Sequence, residues 1–495
     1  MRFPKITGVG LVVVSMVLPV VDAHAGTVEG KELYRQYCAP CHHSQRYGLS
    51  GPPLIPETIG KKKDRDLAEI VRDGLPASNM PAFGTLSEAQ IADIVAFLRS
   101  PVRDMAWGVE EMLGTLKLSD DKPLSPRPNP DMTNLFMIVE GGRGDVHFMD
   151  GDTFTLLDKV HVGTIHGGPK YDEQMKYAYL GGRDGWVVKY DLDAWREVAR
   201  VRGGINTRNI AVSKDGKVLA VANALPANVT LIDTATLKPL KIIDAPGKSG
   251  AVYALRNSAR FVISFRDRAE LWFMDTGTLE IEKVALDQPF SDFFIEPNER
   301  FLIGAGRDGD HISIFDLERK KVTQSVKGEG MPHLASAALW GGRWESIVAY
   351  PHITAPRVTF LELVTVGDDH RLGQPGSANE AVVNDYRWEI KKEVKLKGAG
   401  FFARTHNDIP DVWVDTGSDT IQLLSKKTGS VRELVPSPGK RAMHIEFTKD
   451  GRFALVSIWE TDGAVVIYDT ASLKEVKRLP FNRPVGKYNA TLKLY

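Results

Sequence analysis

The chain contains very little cysteine: only Cys38 and Cys41 occur among its 495 residues. This excludes the disulfide framework that holds many small exported domains together, so the pair needs another explanation. The chain also has no net charge at neutral pH, since its 63 basic residues balance 63 acidic ones. A chain with this balance predicts neither a nucleic-acid partner nor a polybasic membrane surface.

Long apolar runs are missing beyond the N-terminus, and no later segment reaches the roughly 18 apolar residues that a membrane-spanning helix needs. Two basic residues precede an apolar run over residues 6–21, and an A-x-A pattern follows at 23–25. This order is typical of a secretory signal peptide over residues 1–25, although a retained anchor would share the apolar run. Because the run is short and contains Pro19, we expect its removal and a periplasmic protein without stable membrane insertion.

The two cysteines lie in a C-x-x-C-H sequence, Cys38-Ala39-Pro40-Cys41-His42, which is the attachment motif of c-type haem. Thiols one helical turn apart reach the two vinyl groups, and the adjacent histidine faces the iron. A thioredoxin-like redox pair also uses C-x-x-C, but the βαβ context of that pair is absent here. The motif therefore predicts one covalent haem c, bound by Cys38 and Cys41, with His42 on its iron.

The surrounding sequence is typical of a small helical cytochrome over residues 26–117. Ser87 and Gln90 form a capping-box pattern, and the apolar residues that follow share one face of a helix. Met80 lies on the loop before this helix, where this class of cytochrome carries its second axial ligand. We expect Met80 to be that ligand, and a thioether there raises the haem potential. A surface methionine is the alternative.

After a proline-rich linker over residues 118–131, short β-rich runs recur, and each ends in an aspartate. The aspartates lie 41, 42, 42 and 41 residues apart, at Asp150, Asp191, Asp233, Asp275 and Asp316. Degenerate copies over 358–362 and 421–425 and a regular copy over 465–469 complete eight units. A period near 40 residues predicts a propeller with four strands in each unit, here over residues 132–495. A β-sandwich gives no reason for such even spacing.

A c-type domain followed by an eight-bladed propeller resembles cytochrome cd1 nitrite reductase and its nitrite-reductase-like relatives. Short colinear matches carry the resemblance, and these are the segments 132–136, 182–184, 331–333, 404–406 and 414–416. In that family the propeller binds haem d1 without a covalent bond, with a histidine on the iron. The resemblance places this ligand at His166 and implies that Arg183, Arg208 and His406 bind the cofactor.

The positions of the histidines and arginines in the propeller are also consistent with a second, non-covalently bound tetrapyrrole. Histidines lie near the inner ends of several units, and arginines recur in similar places, at Arg143, Arg183, Arg208, Arg266, Arg307, Arg357 and Arg404. A macrocycle that carries several carboxylates needs bidentate cationic partners, which arginine supplies. Some of these arginines are equally suited to salt bridges between blades.

The reductases place two histidines above haem d1 to protonate nitrite. One maps onto His333, but the other falls near residues 290–293, where this chain has no histidine. Because nitrite reduction needs positioned proton donors, this departure weakens that function. His147 and His444 stand where the reductases have other residues. His352 could be a second axial ligand, and the iron would then have no open coordination position for nitrite.

These departures resemble the dihydro-haem d1 dehydrogenases, which oxidise a propionate side chain of dihydro-haem d1 to acrylate. The resemblance implies His166 on the iron, His444 or His147 as the base, and haem c as electron acceptor. The irregular sixth and seventh units allow His333 and His352 to exchange roles.

Three other functions remain open from the sequence: a nitrite reductase, a non-enzymatic haem d1 carrier, and a quinoprotein dehydrogenase. The haem c domain argues against a pure carrier, and the repeated tryptophan motifs of the quinoproteins are missing. Expected partners are dihydro-haem d1 as substrate, a haem d1 nitrite reductase and a small periplasmic electron carrier.

Overall fold

The computed structural model has two parts, a small helical unit at the N-terminus followed by a ring of β-sheets. It describes residues 25–48, 51–60, 62–74, 80–102, 107–163, 165, 167–341, 346–366 and 385–491. The predicted signal peptide lies outside the described residues except for its last position, Ala25. No helix in the described part of the chain is long and apolar enough to cross a membrane.

The helices of the described residues are α1 (Ala25–Tyr37), α2 (Ala39–His42), α3 (Pro56–Ile59), α4 (Asp64–Asp73), α5 (Glu88–Arg99) and α6 (Val109–Thr115). The predicted helix is α5: the Gln90 N–H donates to the Ser87 hydroxyl at 3.2 Å, and the Ser87 N–H donates to the Gln90 side chain at 2.9 Å. Gly30 lets α1 cross α5 closely, because a Cβ there would lie 2.0 Å from the Asp93 carbonyl oxygen.

The strands of the described residues are β1 (Lys117–Leu118), β2 (Leu135–Glu140), β3 (Asp145–Asp150), β4 (Leu156–His161), β5 (Lys170–Tyr171), β6 (Tyr177–Gly181), β7 (Trp186–Asp191), β8 (Arg196–Arg202), β9 (Asn206–Val212), β10 (Val218–Leu225), β11 (Ala227–Asp233), β12 (Pro239–Asp244), β13 (Ser249–Ala254), β14 (Arg260–Phe265), β15 (Glu270–Asp275), β16 (Ile281–Ala285), β17 (Asp292–Ile295), β18 (Phe301–Ala305), β19 (His311–Asp316), β20 (Lys321–Lys327), β21 (Ala338–Trp340), β22 (Ile347–Pro351), β23 (Arg357–Val366), β24 (Asp385–Lys395), β25 (Ala403–Arg404), β26 (Asp411–Asp415), β27 (Ile421–Ser425), β28 (Val431–Leu434), β29 (Ala442–Phe447), β30 (Phe453–Ile458), β31 (Gly463–Asp469), β32 (Glu475–Phe481) and β33 (Pro484–Asn489). Short 3-10 helices cover Met132–Asn134 and Leu334–Ser336.

These strands form eight antiparallel sheets, which are the blades of a propeller and are numbered here along the chain. Blade 1 contains β33, β2, β3 and β4, and each of blades 2 to 8 takes the next four strands in order, from β5–β8 to β29–β32. The first strands of most consecutive blades contact one another around the central axis, as β9 does with β13 and β29 with β33. Because the C-terminal strand β33 pairs with β2, main-chain hydrogen bonds close the ring. The predicted fold class, an all-α cytochrome domain followed by an eight-bladed propeller, is confirmed.

The recurring aspartate ends the third strand of its blade and shapes the turn that follows. Asp150, Asp191 and Asp275 each accept backbone N–H groups from residues two and three positions later, the typical Asx turn. The residue four positions after each aspartate has a positive φ, as in Phe154 at 54° and Trp195 at 52°. The period seen in the sequence therefore reflects the third strand of each repeat and the Asx turn that follows it.

Apolar side chains fill the space between every two neighbouring blades. In β2, residues 135, 137 and 139 pack against blade 2, whereas residues 136 and 138 pack against blade 8. Because successive side chains of a strand point to opposite faces, a strand buried on both faces is apolar throughout. Eight such clusters join the blades in sequence around the ring.

The blade connections define two faces of the propeller. The upper face carries the links from second to third strand and from each fourth strand to the next blade. The lower face carries the other connections, including the aspartate turns. A strand begins at one face and ends at the other, so the connection in which a residue lies decides which face it reaches.

The helical unit docks on blade 2 through Arg202, the last residue of β8. Its guanidinium donates to the carbonyl oxygens of Asp184 at 2.6 Å, of Gly48 at 2.7 Å and of Tyr47, and it lies 4.8 Å from the Trp107 ring. The strand β1 pairs with β8, and α6 packs on blades 2 and 3. These contacts fix the haem c unit beside the upper face.

Candidate functional site

The haem c motif consists of Cys38 and the four residues of α2. Cys38 is buried, Cys41 is exposed, and His42 is buried with its Nδ1 2.8 Å from the Pro52 carbonyl oxygen. A carbonyl oxygen only accepts, so Nδ1 carries the proton and Nε2 keeps the lone pair that an iron needs. Burial lowers the pKa of His42, which favours this neutral form.

Gly51 makes room for the His42 ring. A Cβ at Gly51 would lie 2.5 Å from the Cε1 of His42, closer than side chains pack. The two thiols, the oriented imidazole and this close approach fit a covalently attached haem. Met80 lies on the loop before α5 and is half-buried, and its role as second axial ligand stays a prediction.

Four arginines of blades 2 to 5 form a cationic array around the upper face: Arg183, Arg208, Arg266 and Arg307. Burial and the charges of Arg208 and Arg266 lower the pKa of Arg183 to about 9. Burial and the charges of Arg208 and Arg307 lower the pKa of Arg266 to about 10, and Asp292 opposes this shift. Arg183 and Arg266 therefore remain cations at neutral pH, and the array fits a ligand that brings several carboxylates.

His444 lies in β29, the innermost strand of blade 8, and only 1% of it is exposed. Its ring is 4.6 Å from the Phe402 ring and 5.2 Å from the Tyr488 ring, measured between centroids. Burial raises the pKa of Tyr488 to about 12, so this phenol is protonated at neutral pH. Strands of blades 8 and 1 thus place an imidazole beside a phenol near the axis.

His333 belongs to the same side of the upper face, in the connection between blades 5 and 6. Its Nδ1 is 2.5 Å from the Phe401 carbonyl oxygen, and its ring lies 4.6 Å from the Phe401 ring. In the neutral imidazole this hydrogen bond places the proton on Nδ1 and leaves the lone pair on Nε2. Since Phe402 contacts both His333 and His444, one short segment joins the two histidines.

His352 lies in the connection between β22 and β23 on the upper face, but its ring is fully buried. Nδ1 is 2.6 Å from the Glu329 carbonyl oxygen, and Nε2 is 2.9 Å from the Thr359 hydroxyl. Burial and Arg357 lower the pKa of His352 to about 4. Both nitrogens are held by protein groups, so the structure does not present His352 as the second axial ligand expected from the sequence.

His147 lies in the third strand of blade 1, two strands out from the axis, a distance of roughly 10 Å. Its Nε2 is 2.8 Å from the Glu140 carboxylate, and its ring packs on Phe481 of blade 8. The structure therefore brings His444, and not His147, to the innermost strands. His147 is the weaker of the two bases that the sequence analysis named.

His406 departs from the sequence expectation. It lies in the connection between the first and second strands of blade 7, which belongs to the lower face. Its Nε2 is 3.1 Å from the Lys449 carbonyl oxygen, in the corresponding connection of blade 8. A residue there is separated from the cationic array by the depth of the propeller, so we no longer assign His406 to cofactor binding.

His166, the expected proximal ligand, falls outside the described residues, in the connection between blades 1 and 2. This connection belongs to the upper face, and the neighbouring Ile165 pairs with Gly182 there. His166 as an iron ligand stays a prediction. Tyr488 is a site residue that the sequence analysis missed, because β33 closes blade 1 from the far end of the chain and lies outside the repeat pattern.

The chain is similar to known proteins over both of its parts. A family model described as the cytochrome D1 heme domain matches residues 130–493, and one described as cytochrome C oxidase, cbb3-type, subunit III matches residues 25–98. The chain is 37% identical to a dihydro-heme d1 dehydrogenase of Pseudomonas aeruginosa over 95% of each chain. It is 23% identical to a nitrite reductase of Stutzerimonas stutzeri over 97% of this chain and 95% of that one.

A solved structure described as dihydro-heme d1 dehydrogenase NirN in complex with DHE superposes with a TM-score of 0.84 at 36% identity. The match covers 94% of this chain and all of the other. The sequence and the fold thus agree along nearly the whole length, and the chain belongs to the family of proteins with a cytochrome d1 haem domain.

Proposed function

We propose that the protein is a dehydrogenase that oxidises one propionate side chain of dihydro-haem d1 to acrylate. The observation that carries this proposal is the match to a dihydro-heme d1 dehydrogenase at 37% identity over 95% of both chains. The site geometry supports it, because the upper face combines a cationic array with a buried imidazole near the axis.

The substrate would bind through its carboxylates and its iron. Arg183, Arg208 and Arg266 supply charge-assisted hydrogen bonds, and burial of the array strengthens them. We assign the proximal iron position to His166. His333, with its lone pair on Nε2, is suited to the opposite face of the macrocycle.

The reaction breaks two C–H bonds and forms one C=C bond, so two protons and two electrons leave the propionate. We assign His444 as the base that takes the first proton; the second proton would go to solvent, and the two electrons would go singly to the oxidised haem c of two protein molecules. Tyr488 remains a phenol at neutral pH and therefore orients a neighbouring group as a hydrogen-bond donor. When bound through Cys38 and Cys41, haem c supplies a one-electron acceptor of raised potential.

Nitrite reduction is the weaker alternative. Identity to the nitrite reductase is 23%, against 37% to the dehydrogenase. The segment 290–293, near which a reductase would place its second histidine, contains none, and its Phe290 is fully buried against Gly304. We likewise do not retain a pure haem d1 carrier, because the haem c unit is fixed beside the upper face by Arg202 and strand pairing.

We also infer the cellular setting from the sequence. The N-terminal segment over residues 1–25 would direct export, and haem c attachment fits a periplasmic protein of denitrifying metabolism. The finished cofactor would pass to a haem d1 nitrite reductase, and the electrons would pass to a small periplasmic carrier.

The test is to mix the purified holoprotein, with oxidised haem c, with dihydro-haem d1 under anaerobic conditions. Mass spectrometry of the extracted tetrapyrrole should show the loss of two hydrogen atoms. A His444→Gln variant should bind the substrate and fail to oxidise it, whereas His406→Gln on the lower face should retain activity. Unchanged substrate together with fast conversion of nitrite to nitric oxide would contradict the proposal.

A further inference from the structure

His444 occupies an unusual backbone position. In the pairing of β29 with β30, Met443 lies opposite Ser457 and Ile445 lies opposite Val456, so His444 is skipped as the extra residue of a β-bulge. Its φ is 52°, in the left-handed region that residues with a side chain rarely adopt. A bulge redirects a side chain, but it also removes the main-chain partners that a regular ladder would supply.

Two buried side chains take up the main-chain groups of His444. The carboxyl of Asp415, at the end of β26 in blade 7, accepts the His444 N–H. The Nζ of Lys487, in β33 of blade 1, donates to the His444 carbonyl oxygen and, at 2.8 Å, to the Ser457 hydroxyl. Both residues are fully buried. The two side chains therefore hydrogen-bond to the bulge from blades 7 and 1, which lie on either side of blade 8.

Asp415 also fixes the segment that packs on the His444 ring. One carboxyl oxygen accepts the Phe401 N–H at 2.7 Å, and the other accepts the Phe402 N–H at 2.9 Å. Phe402 lies against His444, and the Phe401 carbonyl oxygen faces Nδ1 of His333. One carboxyl thus connects the backbone of His444, its ring neighbour and the second histidine of the site.

Burying a carboxyl and an amine costs free energy, and regular strand pairing would satisfy the same backbone groups at lower cost. Strained backbone of this kind persists only where the surrounding structure holds it, and it occurs often at functional sites. The arrangement is therefore better explained by the direction it gives to His444 than by stability.

We propose that Asp415 and Lys487 are positioning residues that hold His444 in its bulge and aim its imidazole at the substrate. We call this pair the backbone clamp. The inference rests on the proposed function only through the role of His444 as a base. The position of the His444 ring can be measured whether or not that role is correct.

The test replaces Asp415 by asparagine in the full-length holoprotein. An amide keeps one good acceptor oxygen and presents an NH2 group to the remaining N–H donors, so the clamp loses part of its hold. Asp411→Asn is the matched control: Asp411 begins the same strand, is buried, and pairs with Arg432 on the lower face.

We expect kcat of Asp415→Asn to fall about 100-fold, the effect of a base displaced by about 1 Å. KM for dihydro-haem d1 should change less than about threefold, because the cationic array is intact. A crystal structure should show the His444 ring displaced in Asp415→Asn and unchanged in Asp411→Asn. If Asp415→Asn does not fold, Lys487→Met tests the clamp by the same two readouts.

Two results would overturn the clamp: an unmoved His444 ring with wild-type kcat, or equal losses in Asp415→Asn and Asp411→Asn. A wild-type protein that leaves dihydro-haem d1 unoxidised would contradict the proposed function instead. In that case the ring position alone decides whether the clamp is correct.

Discussion

Removing the Arg202 side chain should release the haem c unit from the propeller. Only 1% of Arg202 is exposed, and its guanidinium donates to three carbonyl oxygens, of which Gly48 and Tyr47 belong to the haem c unit. In Arg202→Met these acceptors lose their donor at a buried interface. The Asp184 acceptor belongs to the propeller, so two of the bonds cross the interface. At about 1 kcal/mol for each of these two, docking weakens by about 2 kcal/mol, which is roughly a 30-fold increase in the undocked fraction.

Hydroxyl-radical footprinting of Tyr47 and Trp107 measures this undocking, because docking leaves these side chains only 5% and 8% exposed. Their oxidation should accelerate up to about 30-fold in Arg202→Met, since the rate follows the undocked fraction. Arg200→Met is the control, because Arg200 lies on the same strand and bonds to Glu197 within the propeller. Equal oxidation rates in wild type and Arg202→Met would refute the interface argument.

Three further predictions concern single side chains. The pKa of His352 is about 4 in the folded protein, below its ordinary 6.5, so the unfolded state binds an extra proton as pH falls. The wild type should therefore lose up to roughly 3 kcal/mol of unfolding free energy between pH 7 and pH 4. Denaturant titrations should show a correspondingly smaller loss in His352→Gln. Gly51→Ala should destabilise the haem c unit by about 1–3 kcal/mol in thermal melts followed by haem absorbance, because the new methyl group meets His42. Arg266→Met should raise the stability of the cofactor-free protein, because Arg208 and Arg307 repel this cation, and should weaken dihydro-haem d1 binding about 10–100-fold in spectral titrations, because the ligand loses one cationic partner. Arg260→Met, at the lower-face end of β14 beside Glu282, should leave binding unchanged.

The repeat architecture was predictable because six of the eight blades place the same aspartate turn after their third strand. Asp150 and Asp191 mark this turn directly, and even the degenerate seventh copy keeps it with Ser425 and a positive-φ Gly429. The helix over residues 87–98 was equally clear, since capping and burial follow from local sequence.

The face reached by each loop histidine was harder to predict. His406 and His352 both lie near strand ends, but one connection belongs to the lower face and the other to the upper face. Irregular spacing in the sixth and seventh units hides this difference from a repeat alignment. The role of Tyr488 depends on β33 closing blade 1, which is a contact between distant parts of the chain.

The local environment of individual side chains could not be predicted from the sequence either. Nothing in the sequence near His444 indicates a β-bulge, because its backbone partners come from Asp415 and Lys487 on two other blades. Likewise, the hydrogen bonds of His352 to Glu329 and Thr359 arise only when separate segments meet.

The most direct measurement counts electrons against product during one anaerobic turnover of dihydro-haem d1. With excess holoprotein, each acrylate formed should be accompanied by two reduced haem c groups, one on each of two protein molecules, and by the loss of two hydrogen atoms from the tetrapyrrole. Acrylate formation while haem c stays oxidised, or dihydro-haem d1 that binds and is recovered unchanged, would contradict the account.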